Sequence, residues 1–85
     1  MAYRIIFKPS AERELSRMPV ALTARIERVI DALTADPRPA GAKKMQGAAN
    51  LWRVRVGDYR IVYEIHEREI VIVVLRIAHR KDVYR

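Results

Sequence analysis

The chain has 85 residues, of which 51% are hydrophobic, and it carries a formal net charge of +7 with no cysteine. This length is near the lower limit at which a chain folds alone on one core, so we expect a single domain over residues 1–85. The absence of cysteine excludes a disulfide framework and a thiolate metal site, and it favours a cytoplasmic protein over a stapled secreted one.

The first elements along the chain are a predicted strand and a predicted short helix. Residues 3–7 are β-branched and aromatic, which indicates a strand. Ser10 is the predicted N-cap of a helix that ends near Pro19. Glu12 and Glu14 then lie in its first turn, where the helix dipole favours acidic side chains.

A second helix is predicted from apolar residues that share one helical face. They recur at i, i+4, i+7, i+8 and i+11, at Leu22, Ile26, Val29, Ile30 and Leu33. Asp36 and Pro37 are expected to end this helix, because the residue before a proline avoids the helical region. The two helices, joined at Pro19, form a hairpin.

Residues 36–50 are rich in proline, glycine and alanine and are predicted to form a loop. Lys43 and Lys44 lie in this loop. Either they hold phosphate groups of a ligand, or they are ordinary solvated lysines.

Three strands are predicted after the loop. Residues 51–56 and 59–66 are separated by Gly57-Asp58, which is a two-residue hairpin signal. Residues 69–77 are apolar at nearly every position, which indicates a central strand buried on both faces. The order β-α-α-β-β-β predicts an α+β domain, with the N-terminal helical hairpin packed on one face of a small four-stranded sheet.

The predicted hairpin brings arginines together on one face of the sheet. With a two-residue turn, Arg55 lies opposite Arg60 and Arg53 lies opposite Val62, while the alternate residues form an apolar face for the helices. Like charges directly opposite each other destabilise a sheet. A face that binds phosphate requires such neighbouring positive charges, and arginine suits this role because its planar guanidinium group matches the phosphate oxygens. The alternative is a solvated face that Glu64 partly neutralises.

The positive charge is concentrated in the second half of the chain. Residues 1–40 hold seven Lys/Arg against five Asp/Glu, whereas residues 41–85 hold ten against five. This excess indicates a polyanionic partner, nucleic acid first, although an acidic protein also fits. No membrane association is expected, because the longest apolar run, residues 70–75, is far too short to span a bilayer.

The C-terminal tail adds further candidate nucleic-acid-binding residues, namely His79, Arg80, Lys81 and Tyr84. A tyrosine ring stacks on an unpaired base with about 1–3 kcal/mol, while neighbouring cations hold the backbone. The tail is equally consistent with an exposed chain end.

Four segments carry a resemblance to a known family. They are the opening YRIIFKPSAERELSRMP, the helix ending DPRP, the hairpin LWRVRVGDYRIVYEI and the tail IAHRKDVYR. On these segments the whole chain resembles the RelE/ParE superfamily of bacterial toxin–antitoxin systems, and RelE-type toxins in particular. The resemblance implies a small, curved, mainly antiparallel sheet with a helical hairpin, in agreement with the elements predicted above.

The resemblance also implies an activity: an mRNA interferase, which is an endoribonuclease that cleaves messenger RNA in the ribosomal decoding site, without a metal or other cofactor, and so inhibits translation. The RNA 2′-hydroxyl attacks the adjacent phosphate and expels the next 5′-oxygen. Matched by position, the catalytic residues are Arg53, Arg55, Arg60, Arg80 and Tyr84. Around them, Lys43, Lys44, His79 and Lys81 are the predicted RNA-binding residues.

The sequence supports metal independence separately. It contains no cluster of Asp/Glu suited to Mg²⁺ and no His pair at zinc-ligand spacing. Side-chain cations must then stabilise the phosphorane-like charge, and we assign this role to Arg60 and Arg80. Tyr84 would stack on or orient the base next to the cleaved phosphate, and Arg53 would hold the backbone.

The general base is left open by the sequence. Some RelE-type enzymes carry lysines on the first hairpin strand, whereas this chain carries arginines, whose pKa above about 12 prevents that role. The candidates are Lys44, Lys81, His79 and Glu64, or positioning alone. Histidine titrates near neutrality and is the natural candidate, although His79 at a strand end also fits a structural role.

The resemblance further implies a cognate antitoxin, acidic and RelB-like, through which the pair binds operator DNA. The ribosome and its mRNA are the other implied partners. Two other functions stay open. One is a non-enzymatic DNA gyrase inhibitor of the ParE kind, which has the same fold but generally lacks the full arginine and tyrosine set. The other is a nucleic-acid-binding module without toxicity.

Overall fold

The computed structural model describes residues 2–79, so the predicted site residues Arg80, Lys81 and Tyr84 lie outside the described residues. Within this range the elements are β1 (Arg4–Phe7), α1 (Pro9–Ser16), α2 (Val20–Leu33), β2 (Lys43–Lys44), β3 (Leu51–Val56), β4 (Tyr59–His66) and β5 (Val71–His79). They form one sheet in the order β1-β5-β4-β3-β2. β1 and β5 are parallel and the other pairs are antiparallel. The predicted α+β class, with a mainly antiparallel sheet, is confirmed.

The described sheet has five strands instead of the predicted four. The additional strand, β2, lies inside the stretch that we predicted to be a loop, and it pairs Lys43 with Arg53 and Lys44 with Trp52. Two residues are too few to show a strand periodicity, so only their partners on β3 identify them as a strand. β2 forms one edge of the sheet and β1 the other.

The ends of both helices differ from the sequence prediction. Ser10 is not the N-cap: α1 begins at Pro9 with Lys8 as the cap residue, and proline suits the first helical position because it has no amide proton to leave unpaired. The Ser10 hydroxyl instead donates to the carbonyl oxygen of Leu75 at 2.9 Å. α2 ends at Leu33, with Thr34 as its C-cap, before the Asp36-Pro37 signal is reached.

The hydrophobic core lies between α2 and the face of the sheet that we call the helix face. Ile26 and Leu33 of α2 and Ile61, Tyr63 and Ile72 of the central strands are all fully buried. The predicted apolar face of the hairpin is therefore confirmed at these β4 positions. Among the described residues no helix has both the length and the apolar character needed to cross a membrane.

Tyr63 fastens the chain that follows α2 to this core. Its hydroxyl donates to the carbonyl oxygen of Pro37 at 2.6 Å, and burial raises the pKa of Tyr63 to about 12, although the nearby positive charge of Arg38 acts in the opposite direction. The Arg38 guanidinium lies 5.3 Å from the centre of the Trp52 ring and pairs with Glu67. The chain entering β2 is thereby held against β3 and β4.

A carboxylate from α1 completes the edge of β5 where β1 ends. β1 pairs with β5 only as far as Val74, which leaves the later residues of β5 without a strand neighbour on that side. Glu14 accepts the backbone N–H of Ile77 at 2.8 Å and pairs with Arg76 at 2.8 Å. The side chain thus takes the place of a strand carbonyl, and it ties α1 to the end of β5.

Candidate functional site

The hairpin register places three arginines on the face of the sheet away from the helices, which we call the open face. Arg55 pairs with Arg60 and Arg53 pairs with Val62, so the predicted pairing of β3 with β4 is confirmed. Alternation along each strand then directs Arg53, Arg55 and Arg60 to the same side. Val54 and Ile61, which alternate with these arginines and point to the helix face, are buried in the core.

These arginines line one small cavity together with a lysine. The cavity has a volume of about 150 Å³ and is lined by Gly41, Lys43, Arg53, Arg55 and Arg60. Lys43 reaches it because β2 pairs Lys43 directly with Arg53. Four cationic side chains from three adjacent strands therefore surround a space large enough for a phosphate group; we call this space the cationic cavity.

The arginines of the cationic cavity differ in burial. Arg60 is only 8% exposed, because β4 has a strand on each side of it. Arg55 is exposed, and its Nε donates to the carbonyl oxygen of Gly57 at 3.1 Å, which fixes it near the hairpin turn. A charge interaction is stronger where water is excluded, so an anion that entered the cavity would interact most strongly with the buried Arg60.

Two predicted RNA-binding residues are not brought into the cavity. The Lys44 ammonium donates to the carbonyl oxygens of Met45 at 2.8 Å and Ala48 at 2.7 Å, so it fastens the turn after β2. His79 pairs with Tyr59, and their rings meet edge to face at 5.4 Å. Neighbouring residues of a strand point to opposite faces, and Tyr59 is the neighbour of the open-face residue Arg60. Both rings therefore lie on the helix-face side.

Glu64, a sequence candidate for the general base, already has a partner. Its Oε1 lies 2.9 Å from His66 Nε2. Glu64 shares the open face with Arg60 but follows it by four residues on β4, which corresponds to about 13 Å along a strand. The cavity ends at the Arg53–Val62 pair, two residues before Glu64 on β4, and Glu64 is not among the residues that line it.

The structure also shows basic residues that the sequence prediction passed over. Arg25 and Arg28 of α2 line a groove beside the hairpin turn, and Arg55 lines that groove as well as the cationic cavity. In the sequence these two arginines look like the solvated face of an amphipathic helix, and only the packing of α2 against the hairpin brings them near Arg55.

Known proteins that are similar to this chain are toxins of type II toxin–antitoxin systems. The family model described as "ParE toxin of type II toxin-antitoxin system, parDE" matches residues 5–84. Toxin RelG of Mycobacterium tuberculosis is 33% identical over 86 residues, covering 100% of this chain and 99% of the relative. Toxin RelE of the same organism is 31% identical over 84 residues, covering 98% and 87%.

Solved structures agree with these relatives. The RelE–RelB complex from Pyrococcus horikoshii contains a chain with a TM-score of 0.83 and 29% identity, covering 94% of this chain and 97% of that one. The RelBE2 toxin–antitoxin complex from Mycobacterium tuberculosis gives a TM-score of 0.79 at 28% identity, covering 94% and 100%. The chain belongs to the RelE/ParE superfamily of type II toxins. Within that superfamily, its two relatives from Mycobacterium tuberculosis carry the names RelG and RelE.

Proposed function

We propose that this toxin is a ribosome-dependent endoribonuclease, which cleaves mRNA without a metal ion and so inhibits translation in the cytoplasm. The observation that carries the proposal is the cationic cavity, in which Lys43, Arg53, Arg55 and Arg60 converge. A site that cleaves RNA by internal attack must hold one phosphodiester and stabilise the negative charge that develops on it. Four cations around about 150 Å³ suit both tasks.

In the proposed reaction the 2′-oxygen of one nucleotide attacks the phosphorus on its own 3′-oxygen. The bond to the next 5′-oxygen breaks, which leaves a 2′,3′-cyclic phosphate and a 5′-hydroxyl. Arg60 and Arg55 hold the non-bridging oxygens, because two guanidinium forks facing each other can donate to both. Arg53 holds the neighbouring backbone.

The tail residues complete the proposed site by family position. Arg80 adds a further cation to the phosphate, Tyr84 stacks on an adjacent base, and Lys81 binds backbone. Among residues 2–79 no three His, Asp or Glu side chains come together as metal ligands do. The proposal gives charge stabilisation to the side-chain cations of the cavity and the tail.

The proposed partners follow from the family and the charge. The solved neighbours from Pyrococcus horikoshii and Mycobacterium tuberculosis are toxins in complexes with antitoxins, and we propose a RelB-like antitoxin for this chain. Against a net charge of +7, an acidic antitoxin segment is the complementary partner. Operator DNA would be bound through the antitoxin.

The proposal is tested by translation in vitro followed by primer extension. Purified toxin is added to a programmed ribosome reaction and, in parallel, to the same mRNA without ribosomes. We expect breaks at defined codon positions only where ribosomes are present, with 2′,3′-cyclic phosphate at the upstream product ends. Intact mRNA together with gyrase-dependent DNA breaks would instead support the ParE-type function. RNA binding without either kind of break would support a binding module.

The gyrase-inhibiting alternative has less support. Although the matching family model carries the ParE name, the two relatives above 30% identity carry the names RelG and RelE. The cationic cavity also favours the cleavage proposal, because a phosphodiester site needs converging cations, whereas inhibition of a protein does not require converging guanidinium groups.

A further inference from the structure

We propose that Lys43 is the general base of this toxin, the group that takes the proton from the attacking 2′-hydroxyl. The inference rests on the ribonuclease function proposed above and adds the residue that the sequence left open. Its starting observation is that β2, which the sequence does not reveal, delivers one lysine to a cavity otherwise lined by arginines and a glycine.

The two adjacent lysines of β2 have different surroundings. Lys44 is paired with Trp52, and its ammonium is bound by two backbone carbonyls. Lys43 is paired with Arg53 and lines the cationic cavity. Its side chain makes no hydrogen bond or ion pair within residues 2–79, where Lys44 makes two hydrogen bonds. Lys43 is thus free to engage a group that enters the cavity.

Chemistry then separates Lys43 from the other cations of the cavity. The charged groups facing it are Arg53 and Arg55 of β3 and Arg60 of β4. A guanidinium, with a pKa above about 12, keeps its proton at any working pH. An amine has a neutral form with a lone pair, and lysines act as general bases for that reason.

The other candidates among the described residues are elsewhere. His79 contacts Tyr59 on the helix-face side. Glu64 pairs with His66, four residues along β4 from Arg60. Within residues 2–79, Lys43 is therefore the one cavity-lining side chain that can accept a proton.

The proposed step balances in atoms and charge. The neutral Lys43 amine accepts the 2′-hydroxyl proton while the bond between the 2′-oxygen and phosphorus forms. The bond from phosphorus to the 5′-oxygen breaks, and that oxygen takes a proton from water. The hydroxide produced removes the added proton from Lys43, which restores the amine. The arginines carry the extra negative charge throughout.

The test compares Lys43→Arg and Lys43→Ala with wild type in single-turnover cleavage on programmed ribosomes. Lys8→Ala is the matched control, because Lys8 is also an exposed lysine and follows β1, at the opposite edge of the sheet. We expect both Lys43 variants to lose about 10²-fold or more in rate, and Lys8→Ala to stay within threefold of wild type. Arginine keeps the charge but cannot accept a proton, so it should not restore the rate.

Two further measurements separate a base from a phosphate clamp. In wild type we expect the cleavage rate to rise with pH, and in Lys43→Ala we expect that rise to be absent. Methylamine should accelerate Lys43→Ala in proportion to its free amine form and leave Lys8→Ala unchanged. Thermal melting of each variant should match wild type, because the Lys43 side chain is exposed.

Several outcomes would overturn the assignment. Lys43→Arg cleaving within threefold of wild type would show that only a positive charge is needed there. Lys43→Ala retaining the wild-type pH slope would place the base elsewhere. If the wild-type protein left ribosome-bound mRNA intact, the ribonuclease proposal itself would be wrong. If wild type and both Lys43 variants all cleaved the mRNA, only the assignment of Lys43 as the base would be wrong.

Discussion

Burial distinguishes Arg60 from the other cations of the cavity. It lies on an inner strand and is 8% exposed, so removal of the whole side chain would open space within the sheet as well as remove the charge. A substitution that tests chemistry must therefore keep the aliphatic stem. Lysine does so, and it keeps the positive charge while losing the planar two-pronged donor.

We expect Arg60→Lys to reduce the single-turnover rate of mRNA cleavage by about 10²-fold or more, as for loss of one preorganised donor to a developing oxyanion. The measurement is cleavage on programmed ribosomes. Arg68→Lys, at an exposed position in the turn before β5, is the control and should cleave normally. Full activity of Arg60→Lys would argue against two-pronged phosphate binding at this position.

Tyr63 gives a residue-level prediction about stability and pH. Burial raises its pKa from the ordinary value of 10 to about 12, so folding favours the neutral phenol. This contribution to the free energy of unfolding is fully present below pH 10, and it is lost as the pH rises from 10 to 12. With about 1.4 kcal/mol for each pKa unit, the loss amounts to about 2–3 kcal/mol.

The Tyr63→Phe variant isolates this effect. At pH 8 we expect it to lower the free energy of unfolding by roughly 1–3 kcal/mol, because the partly buried carbonyl oxygen of Pro37 loses its hydrogen-bond donor. Between pH 10 and 12 the gap between wild type and variant should narrow. Urea denaturation over this pH range is the measurement. If the difference in unfolding free energy between wild type and variant did not change with pH, Tyr63 would have the same pKa in the folded and unfolded states.

At the scale of elements, α1 and β5 are joined through Glu14. The carboxylate accepts the Ile77 amide at 2.8 Å and pairs with Arg76, just before the segment from which the tail continues. Hydrogen bonds to a charged group contribute about 1.5–3 kcal/mol, and the ion pair adds little because the Arg76 side chain is 48% exposed and water screens its charge.

We expect Glu14→Ala to lower the free energy of unfolding by about 1–2 kcal/mol and to speed hydrogen exchange at the Ile77 amide. Glu14→Gln keeps an acceptor oxygen for that amide, so it should lower the free energy of unfolding by a smaller amount. Hydrogen exchange followed by NMR is the measurement, with the Lys8 amide, which donates to Val74, as an internal reference. Unchanged protection of Ile77 in Glu14→Ala would mean that the edge of β5 is held by other contacts.

At the scale of the whole molecule, one core joins α2 to the sheet that carries the cationic cavity. Ile30 of α2 is 2% exposed within this core. Truncation of a buried isoleucine removes apolar contacts and leaves a cavity, which costs about 2–5 kcal/mol. For a domain of this size each kcal/mol lowers the melting temperature by about 4–8 °C.

We therefore expect Ile30→Ala to lower the melting temperature by roughly 10 °C or more and to weaken cleavage and antitoxin binding together, because both depend on the same fold. Thermal unfolding by circular dichroism is the measurement. Arg28→Ala, on the exposed side of the same helix, is the control and should melt within about 2 °C of wild type. A small shift for Ile30→Ala would show that the core closes around the lost side chain.

Much of the fold and part of the candidate site were predictable from sequence. The paired arginines of β3 and β4 followed from a two-residue turn and strict alternation, because a tight hairpin sets its own register. The apolar periodicity of α2 likewise predicted its buried face. These features depend on residues close together in the chain, so local patterns and the hydrophobic effect determined them.

Only the tertiary structure decided which of two neighbouring lysines lines the cavity. Lys43 and Lys44 are adjacent residues of the same type, so the sequence does not distinguish them. Their surroundings differ because β2 pairs with β3, which places Lys43 beside Arg53 and Lys44 beside Trp52. The same holds for Glu14, whose hydrogen bond to Ile77 joins residues 63 positions apart. Such contacts form when elements already folded are packed together, so no local pattern of the chain encodes them.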